Sequence, residues 1–181
     1  MTILRISTAL LTRRQPLPIV HHRVEEHPEG NSGGSISKDE AKRCFLQGSA
    51  CIPMGDFPRA IELLTRAINA NFNTACALMN RGIAHTAAGD PAAALRDFDD
   101  ALALGYPNPE LLCGNRANAH RDLGHYQEAI DDYTRAIKGI SDSRVIGRLL
   151  LKRAEVYDRV GARDKAKADR KKASGLGFSG P

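Results

Sequence analysis

Small and apolar residues recur along this chain in one repeating order. Each copy has a small residue, a second position three residues later, a turn glycine four after that and an alanine five beyond the glycine. The copies are Gly48-Cys51-Gly55-Ala60, Gly82-His85-Gly89-Ala94, Ala117-His120-Gly124-Ala129 and Ala154-Tyr157-Gly161-Ala166. Spacings of three, four and seven place residues on one face of an α-helix. Each copy therefore predicts two helices joined by a tight turn.

The turns carry residues suited to ending one helix and starting another. A glycine adopts the left-handed conformation that closes a helix at its C-terminus. Asp56 and Asp90 follow turn glycines and are suited to capping the next helix. We predict eight helices between about residues 38 and 173, with Pro53 distorting the end of the first.

The repeat period places these copies in a recognisable class. The turn glycines are 34, 35 and 37 residues apart, and the second copy contains the run Asn80-Arg81-Gly82. This pattern resembles the tetratricopeptide repeat family over about 140 residues. The resemblance implies an all-α fold, a right-handed superhelical solenoid of four helix-turn-helix repeats. A flexible tail at 1–38 is expected to precede a repeat domain at 39–178, with units at about 41–74, 75–108, 110–146 and 147–178.

An arginine and an aspartate recur together in three of the four units. The arginine directly precedes the small residue of the first helix, and the aspartate follows 16 positions later. The pairs are Arg81 with Asp97, Arg116 with Asp132, and Arg153 with Asp169. In the first unit both are absent, replaced by Gln47 and Leu63. Joint presence and joint loss predict an ion pair between the two helices of each unit, with a structural role.

The N-terminal region does not repeat. Prolines and the run at 30–35 (Gly-Asn-Ser-Gly-Gly-Ser) predict a flexible linker at 15–38. Residues 1–14 are weakly amphipathic, contain arginine and lack acids, a faint match to an organelle-targeting segment and a poor one to a secretory signal. We expect a cytoplasmic location, with organelle targeting or export through 1–14 as alternatives.

The basic residues are unevenly distributed. The net charge is +5, yet residues 144–181 alone carry eleven Lys/Arg against four Asp/Glu. Binding of nucleic acid or another anionic surface through the fourth repeat is therefore an alternative function. Aromatic residues for base stacking are scarce there, which makes nucleic acid the less favoured partner. Self-association through the repeats is a further alternative, and no apolar run reaches the ~20 residues of a membrane helix.

Residues with catalytic or metal-binding chemistry are few and poorly placed. Cys44 and Cys51 lie about 10.5 Å apart along one predicted helix, too far for a disulfide, and no pair has zinc spacing. We expect all four cysteines to be reduced thiols, used as small core residues. His85 and His120 occupy equivalent positions, which indicates packing, and the group His21, His22 and His27 lies in the flexible linker. No nucleophile, metalloprotease or phosphate-loop motif occurs. We predict a protein without enzymatic activity, cofactor or metal.

Interaction with another polypeptide is the function that these patterns favour. Positions on the first helix of each unit, offset from the small packing residue, are expected to line a concave face. The expected peptide-binding residues are Phe45, Met79, Asn80, Ile83, Asn115, Asn118, Arg148 and Lys152. The series runs from apolar through amide-rich to cationic. We expect an adaptor or scaffold whose partner places apolar side chains on the first two units and an acidic group on the fourth.

The resemblance adds a more specific expectation for three of these residues. Some members of the family hold the C-terminal carboxylate of a peptide between an asparagine in one unit and basic residues in the next. Asn115, Arg148 and Lys152 stand at positions that match that arrangement. Met79 and Ile83 replace the other basic residue and the second asparagine of that motif. The resemblance therefore implies a partial carboxylate clamp.

Overall fold

A computed structural model describes residues 36–178, which form eight α-helices and no strand. The helices are α1 (Lys38–Cys51), α2 (Phe57–Asn69), α3 (Thr74–Ala87), α4 (Pro91–Ala103), α5 (Pro109–Asp122), α6 (Tyr126–Gly139), α7 (Ser143–Arg159) and α8 (Arg163–Gly175). The prediction of an all-α repeat solenoid is confirmed. The expected targeting segment at 1–14 and the three linker histidines lie outside the described residues. The expected linker at 15–38 also lies outside them, except for its last three residues, of which Lys38 begins α1.

The helices pack as four consecutive pairs, here called units 1 to 4. Within a unit the odd-numbered helix is called helix A and the even-numbered helix is called helix B. Each B helix packs against the A helix of the next unit, and A helices also contact one another, α1 with α3 and α3 with α5. Direct contact between successive A helices places them on the inner, concave side of the stack.

Units 1, 2 and 3 are each closed by a small residue on helix A facing a large residue on helix B. The ring of Phe98 is fully buried and lies against Gly82, where a Cβ atom would come within 2.7 Å of it. Leu64 and Tyr133 occupy the same position in units 1 and 3 and are also fully buried. The repeated small residues are thus packing positions, as the sequence predicted.

Turns and caps follow the expected chemistry. The turn glycines, Gly89 among them at φ +85°, take the left-handed conformation. The carboxylate of Asp90 accepts a hydrogen bond from the Ala93 N–H at 2.9 Å, and Asp56 caps α2 in the same way. Helix α1 ends at Cys51, two residues earlier in register than α3, because Pro53 has no N–H to continue the helix. The distortion predicted at Pro53 is confirmed.

The cysteines serve as core residues in three of four cases. Cys44, Cys51 and Cys113 are buried, and Cys76 is half-buried. All four are free thiols. Their predicted role as small core residues is confirmed for the three buried ones.

The predicted arginine–aspartate pairs form in units 2, 3 and 4. Each guanidinium donates two hydrogen bonds to the aspartate of its own unit, at 2.7–2.9 Å. The remaining terminal nitrogen of each donates to helix B of the preceding unit, at 2.7–2.9 Å. Its acceptors are Thr65, Asp99 and Thr134, which occupy one repeat position. Each arginine therefore joins three helices, which the pairwise pattern alone did not indicate.

His85 and His120 pack beside these pairs. In both cases the imidazole Nε2 lies 3.9 Å from the aspartate of the same unit. Burial lowers the pKa of His120, whereas the nearby Asp132 carboxylate acts in the opposite direction. The Nδ1 atom of His120 is buried and has no hydrogen-bond partner in the described structure. The packing role predicted for this position fits a neutral imidazole.

Acid is expected to destabilise the fold through His120. Because its pKa is lower in the folded than in the unfolded chain, the unfolded chain binds more protons as pH falls through about 6.5. Its stabilising contribution is therefore present above that pH and is lost progressively below it. His120→Tyr introduces the residue that unit 4 carries at this position, Tyr157. Urea denaturation from pH 7.5 to 5.5 should show a smaller loss of stability in H120Y than in the native chain. Equal losses would contradict the assignment.

The C-terminal end of the stack differs from its interior. In α6, Ile130, Tyr133, Thr134 and Ile137 face unit 4. The same positions in α8 are Lys167, Arg170, Lys171 and Ser174, and all four side chains are exposed. Arg170 pairs with Asp158 of α7. Such a polar, charged face is poorly suited to packing against another helix pair.

Candidate functional site

Two adjoining pockets open on the concave face. The α5–α7 pocket, of about 250 Å³, has an apolar wall formed by Leu111, Ile140, Val145 and Leu149. Its polar wall is formed by Asn115, Asn118, Arg148 and Lys152. The α3–α5 pocket, of about 280 Å³, shares Asn115, Asn118 and Lys152 with it and extends to Ile83 and Phe98. The shared residues make the two pockets one continuous groove across units 2, 3 and 4.

Five of the eight residues expected to bind peptide line this groove. They are Ile83, Asn115, Asn118, Arg148 and Lys152. Phe45 and Asn80 lie nearer the N-terminal end of the stack. The Phe45 ring is half-buried beside the Phe72 ring, with centroids 6.0 Å apart. Asn80 is half-buried and donates to the hydroxyl of Ser49.

Met79 is the exception among the expected residues. Its side chain is 2% exposed and belongs to the buried cluster that contains Phe98 and Leu112. Met79 lies three residues before the small residue Gly82, and its apolar side chain packs inward between the helices. It therefore offers no surface to a ligand. The expectation of a ligand contact at Met79 is wrong in this structure.

Hydrogen bonds between successive A helices fix part of the groove. Asn118 Oδ1 accepts from the Tyr133 hydroxyl at 2.7 Å and from Lys152 Nζ at 3.0 Å. The bond from Asn80 to Ser49 joins α3 to α1 at the same repeat positions. Between α3 and α5 there is no equivalent bond among those described, because Asn115, at the same repeat position, donates to the Leu111 carbonyl of its own helix. The Asn115 carbonyl oxygen is therefore left facing the groove without a partner among the described residues.

The electrostatic character of the groove is set by cations from units 3 and 4. Arg148 is exposed and makes no ion pair within residues 36–178, whereas Arg121 bonds Asp122 and lies 3.9 Å from Glu155. Burial lowers the pKa of Lys152, and the positive charges of Arg121 and Arg148 act in the same direction. An anionic group in the pocket would relieve this repulsion.

Sequence reasoning missed the apolar wall of the α5–α7 pocket. Ile140 and Val145 lie at the junction of α6 and α7, where the irregular spacing of unit 3 hid their register. Gly114 also lines the pocket, at a position that carries a large side chain in the other units. That contrast is visible once the four units are aligned.

Comparison with known proteins decides the family. Two models described as tetratricopeptide repeat match residues 46–109 and 111–138, together just over half of the chain. The chain belongs to the tetratricopeptide repeat family. Hsp70-Hsp90 organizing protein 1 from Glycine max is 48% identical over 52 residues, which is 29% of this chain and 9% of that relative. This chain therefore matches only a small part of the length of that curated relative.

Solved structures show the same fold. The crystal structure of MamA has a TM-score of 0.66 at 22% identity, covering 77% of this chain and 80% of MamA. The Sgt2 TPR domain from Aspergillus fumigatus has a TM-score of 0.55 at 23% identity, covering 74% of this chain and 89% of that domain. Proteins of this family typically act as scaffolds for protein interaction. None of the helices between residues 36 and 178 combines the length and apolar content needed to cross a membrane.

Proposed function

We propose that the concave groove binds an extended, acidic segment of a partner protein. The observation that carries this proposal is the convergence of Arg148, Lys152, Asn115 and Asn118 on one pocket. Arginine and lysine bind carboxylates with charge-assisted hydrogen bonds, and amide side chains bind the main chain of an extended peptide. The name of the soybean relative, an organizing protein, is consistent with a scaffold of this kind.

The composition of the concave face indicates which parts of the ligand lie on which units. The A-helix face is more apolar towards the N-terminal end of the stack, where Phe45 is half-buried, Leu46 is 55% exposed and Ile83 lines the α3–α5 pocket. Its other half carries the amide side chains of Asn115 and Asn118 and the cations. A matching ligand places apolar side chains on units 1 and 2 and its acidic group between Arg148 and Lys152.

Reversing both charges in the pocket is expected to weaken peptide binding by about 10–100-fold. The variant is Arg148→Glu with Lys152→Glu, and the probe is a library of ten-residue peptides, each with one fixed aspartate, measured by fluorescence anisotropy. Circular dichroism should show unchanged helix content, because Arg148 is exposed and Lys152 lies on the groove surface.

A matched control separates the groove from general charge effects. Lys167→Glu with Lys171→Glu makes the same change in net charge on α8, outside the groove. This control should bind the peptides as the native chain does. Unchanged affinity in R148E/K152E would refute the groove assignment.

A polyanion bound by α8 is the second candidate. Its support is that Lys167, Arg170 and Lys171 are exposed at positions where no other unit carries a basic residue. The ring of Tyr157 in unit 4 already lies 5.6 Å from the Arg153 guanidinium and 5.7 Å from Lys165 Nζ, so it is poorly placed to stack on bases. Binding of a 20-base-pair duplex that disappears by ~200 mM salt and is lost in K167E/K171E would favour this candidate.

A further inference from the structure

The α5–α7 pocket exists because unit 3 lacks a side chain that the other units have. Gly114 occupies the repeat position filled by Phe45 in unit 1, Met79 in unit 2 and Leu151 in unit 4. The Gly114 backbone is itself part of the pocket lining. A Cβ atom there would lie 3.2 Å from Leu149 Cδ2, on the apolar wall.

Unit 3 departs from the others at a second position nearby. An aromatic ring follows helix B in units 1, 2 and 4, at Phe72, Tyr106 and Phe178. Its backbone N–H bonds the helix in each case, at 2.9–3.0 Å. In unit 3 the corresponding residue is Ser141, and Ile140 leaves the helix in an extended conformation instead. In unit 1 the rings at these two positions, Phe45 and Phe72, lie beside each other. Unit 3 therefore has neither of these two rings, with Gly114 and Ser141 in their places.

Volume and lining identify the group that the pocket takes. At about 250 Å³ it is smaller than the ~300–1,000 Å³ typical of sites for whole small molecules. Its wall of Leu111, Ile140, Val145 and Leu149 suits one large apolar side chain. Arg148 and Lys152 lie on the same pocket, so a carboxylate bound to them is within one or two residues of that side chain.

We infer that the α5–α7 pocket is a specificity site for one large apolar side chain of the ligand, adjacent to a carboxylate. This inference rests on the proposed function and adds the ligand sequence to it: leucine, isoleucine, methionine or phenylalanine next to an acidic group. The acidic group is either an aspartate or glutamate side chain or the C-terminal carboxylate of the ligand. Gly114 is the residue that determines this specificity.

The test fills the pocket from within. Gly114→Met places in unit 3 the residue that unit 2 carries at the same position. Backbone strain is not expected, because Gly114 does not have a positive φ angle. The probe is a library of ten-residue peptides with a fixed aspartate and one randomised neighbouring position, in versions with a free or an amidated C-terminus.

The native chain should select large apolar residues at the randomised position over alanine, with about tenfold tighter binding. In G114M this preference should disappear, with weak binding of acidic peptides remaining. R148E/K152E should lose binding both of peptides with a large apolar residue beside the aspartate and of peptides with alanine there. Loss of selection on amidation would assign the carboxylate to the chain terminus, and its retention would assign it to a side chain.

Leu111→Ser provides a second variant in case G114M folds poorly. Leu111 is 41% exposed at the pocket wall, so its replacement leaves the core intact while making the wall polar. It should lower apolar selectivity in the same direction. The inference would be overturned if the native chain showed no preference for apolar residues. It would also be overturned if G114M and L111S both showed the same preference as the native chain. In that case a loss of acidic peptide binding in R148E/K152E would leave the proposed function standing, whereas failure of every peptide would remove both.

Discussion

Replacing Phe98 with alanine is expected to lower the free energy of unfolding by about 3–5 kcal/mol. The ring is fully buried and fills the space that Gly82 leaves between α3 and α4. Glycine cannot extend into the resulting cavity, and rigid helices on either side limit collapse, so most of the lost contact is not recovered. Urea denaturation followed by circular dichroism measures the change.

Two control variants make the Phe98 prediction specific. Leu104→Ala, at the end of the same helix, removes a side chain that is 58% exposed and should change stability by about 0.5 kcal/mol or less. Phe98→Leu introduces the residue of unit 1, Leu64, and should cost clearly less than alanine. A loss below about 1 kcal/mol in F98A, with an unchanged denaturant slope, would contradict the packing described for unit 2.

Replacing Asp97 with leucine is expected to cost about 3 kcal/mol or more, because the Arg81 guanidinium loses its counter-charge while still largely buried. The Arg81 and Asp97 side chains are only 20% and 6% exposed. Two bonds, at 2.7 and 2.8 Å, would be lost. Thermal and urea denaturation measure the cost.

The first unit supplies the compensating change. It carries Gln47 and Leu63 at these two positions and folds without the ion pair. The double variant Arg81→Gln with Asp97→Leu should therefore recover at least half of the stability lost in D97L. Such non-additivity is expected of residues in direct contact. Additive losses would mean that the pair contributes little to the folded state.

Much of the fold could be predicted from the sequence because its packing positions repeat. One unit alone would not have distinguished Gly82 from any other helical glycine, but four units in register identify it as a contact position. The ion pairs were predictable for the same reason, since Arg81 and Asp97 occur and disappear together. The bond from Arg81 to Thr65 was not predicted, because the acceptor changes between threonine and aspartate from unit to unit.

The candidate site was only partly predictable. Register alone was enough to bring Arg148 and Lys152 together on one side of α7, where both line the α5–α7 pocket, because positions four apart on a helix share a face. The ligand contact expected at Met79 was wrong because the degree of burial at its repeat position changes from unit to unit. Phe45 and Leu151 are half-buried there, whereas Met79 is buried. The apolar wall depended on Ile140, at the junction of α6 and α7, where the repeat spacing lengthens to 37 residues and the period gives no guidance. Gly114 was not predicted as a site residue, because glycine has no side chain and a search for functional groups does not select it.

The cationic end face of α8 also restricts how a protein of this kind can change in length. A fifth unit added after α8 would have to pack against Lys167, Arg170 and Lys171, burying three charges at the new junction. A copy of an interior unit inserted before α7 would instead meet apolar residues such as Ile130 and Tyr133 on α6. Gene duplication can therefore lengthen this array from within, with the last unit carried along unchanged as its terminus.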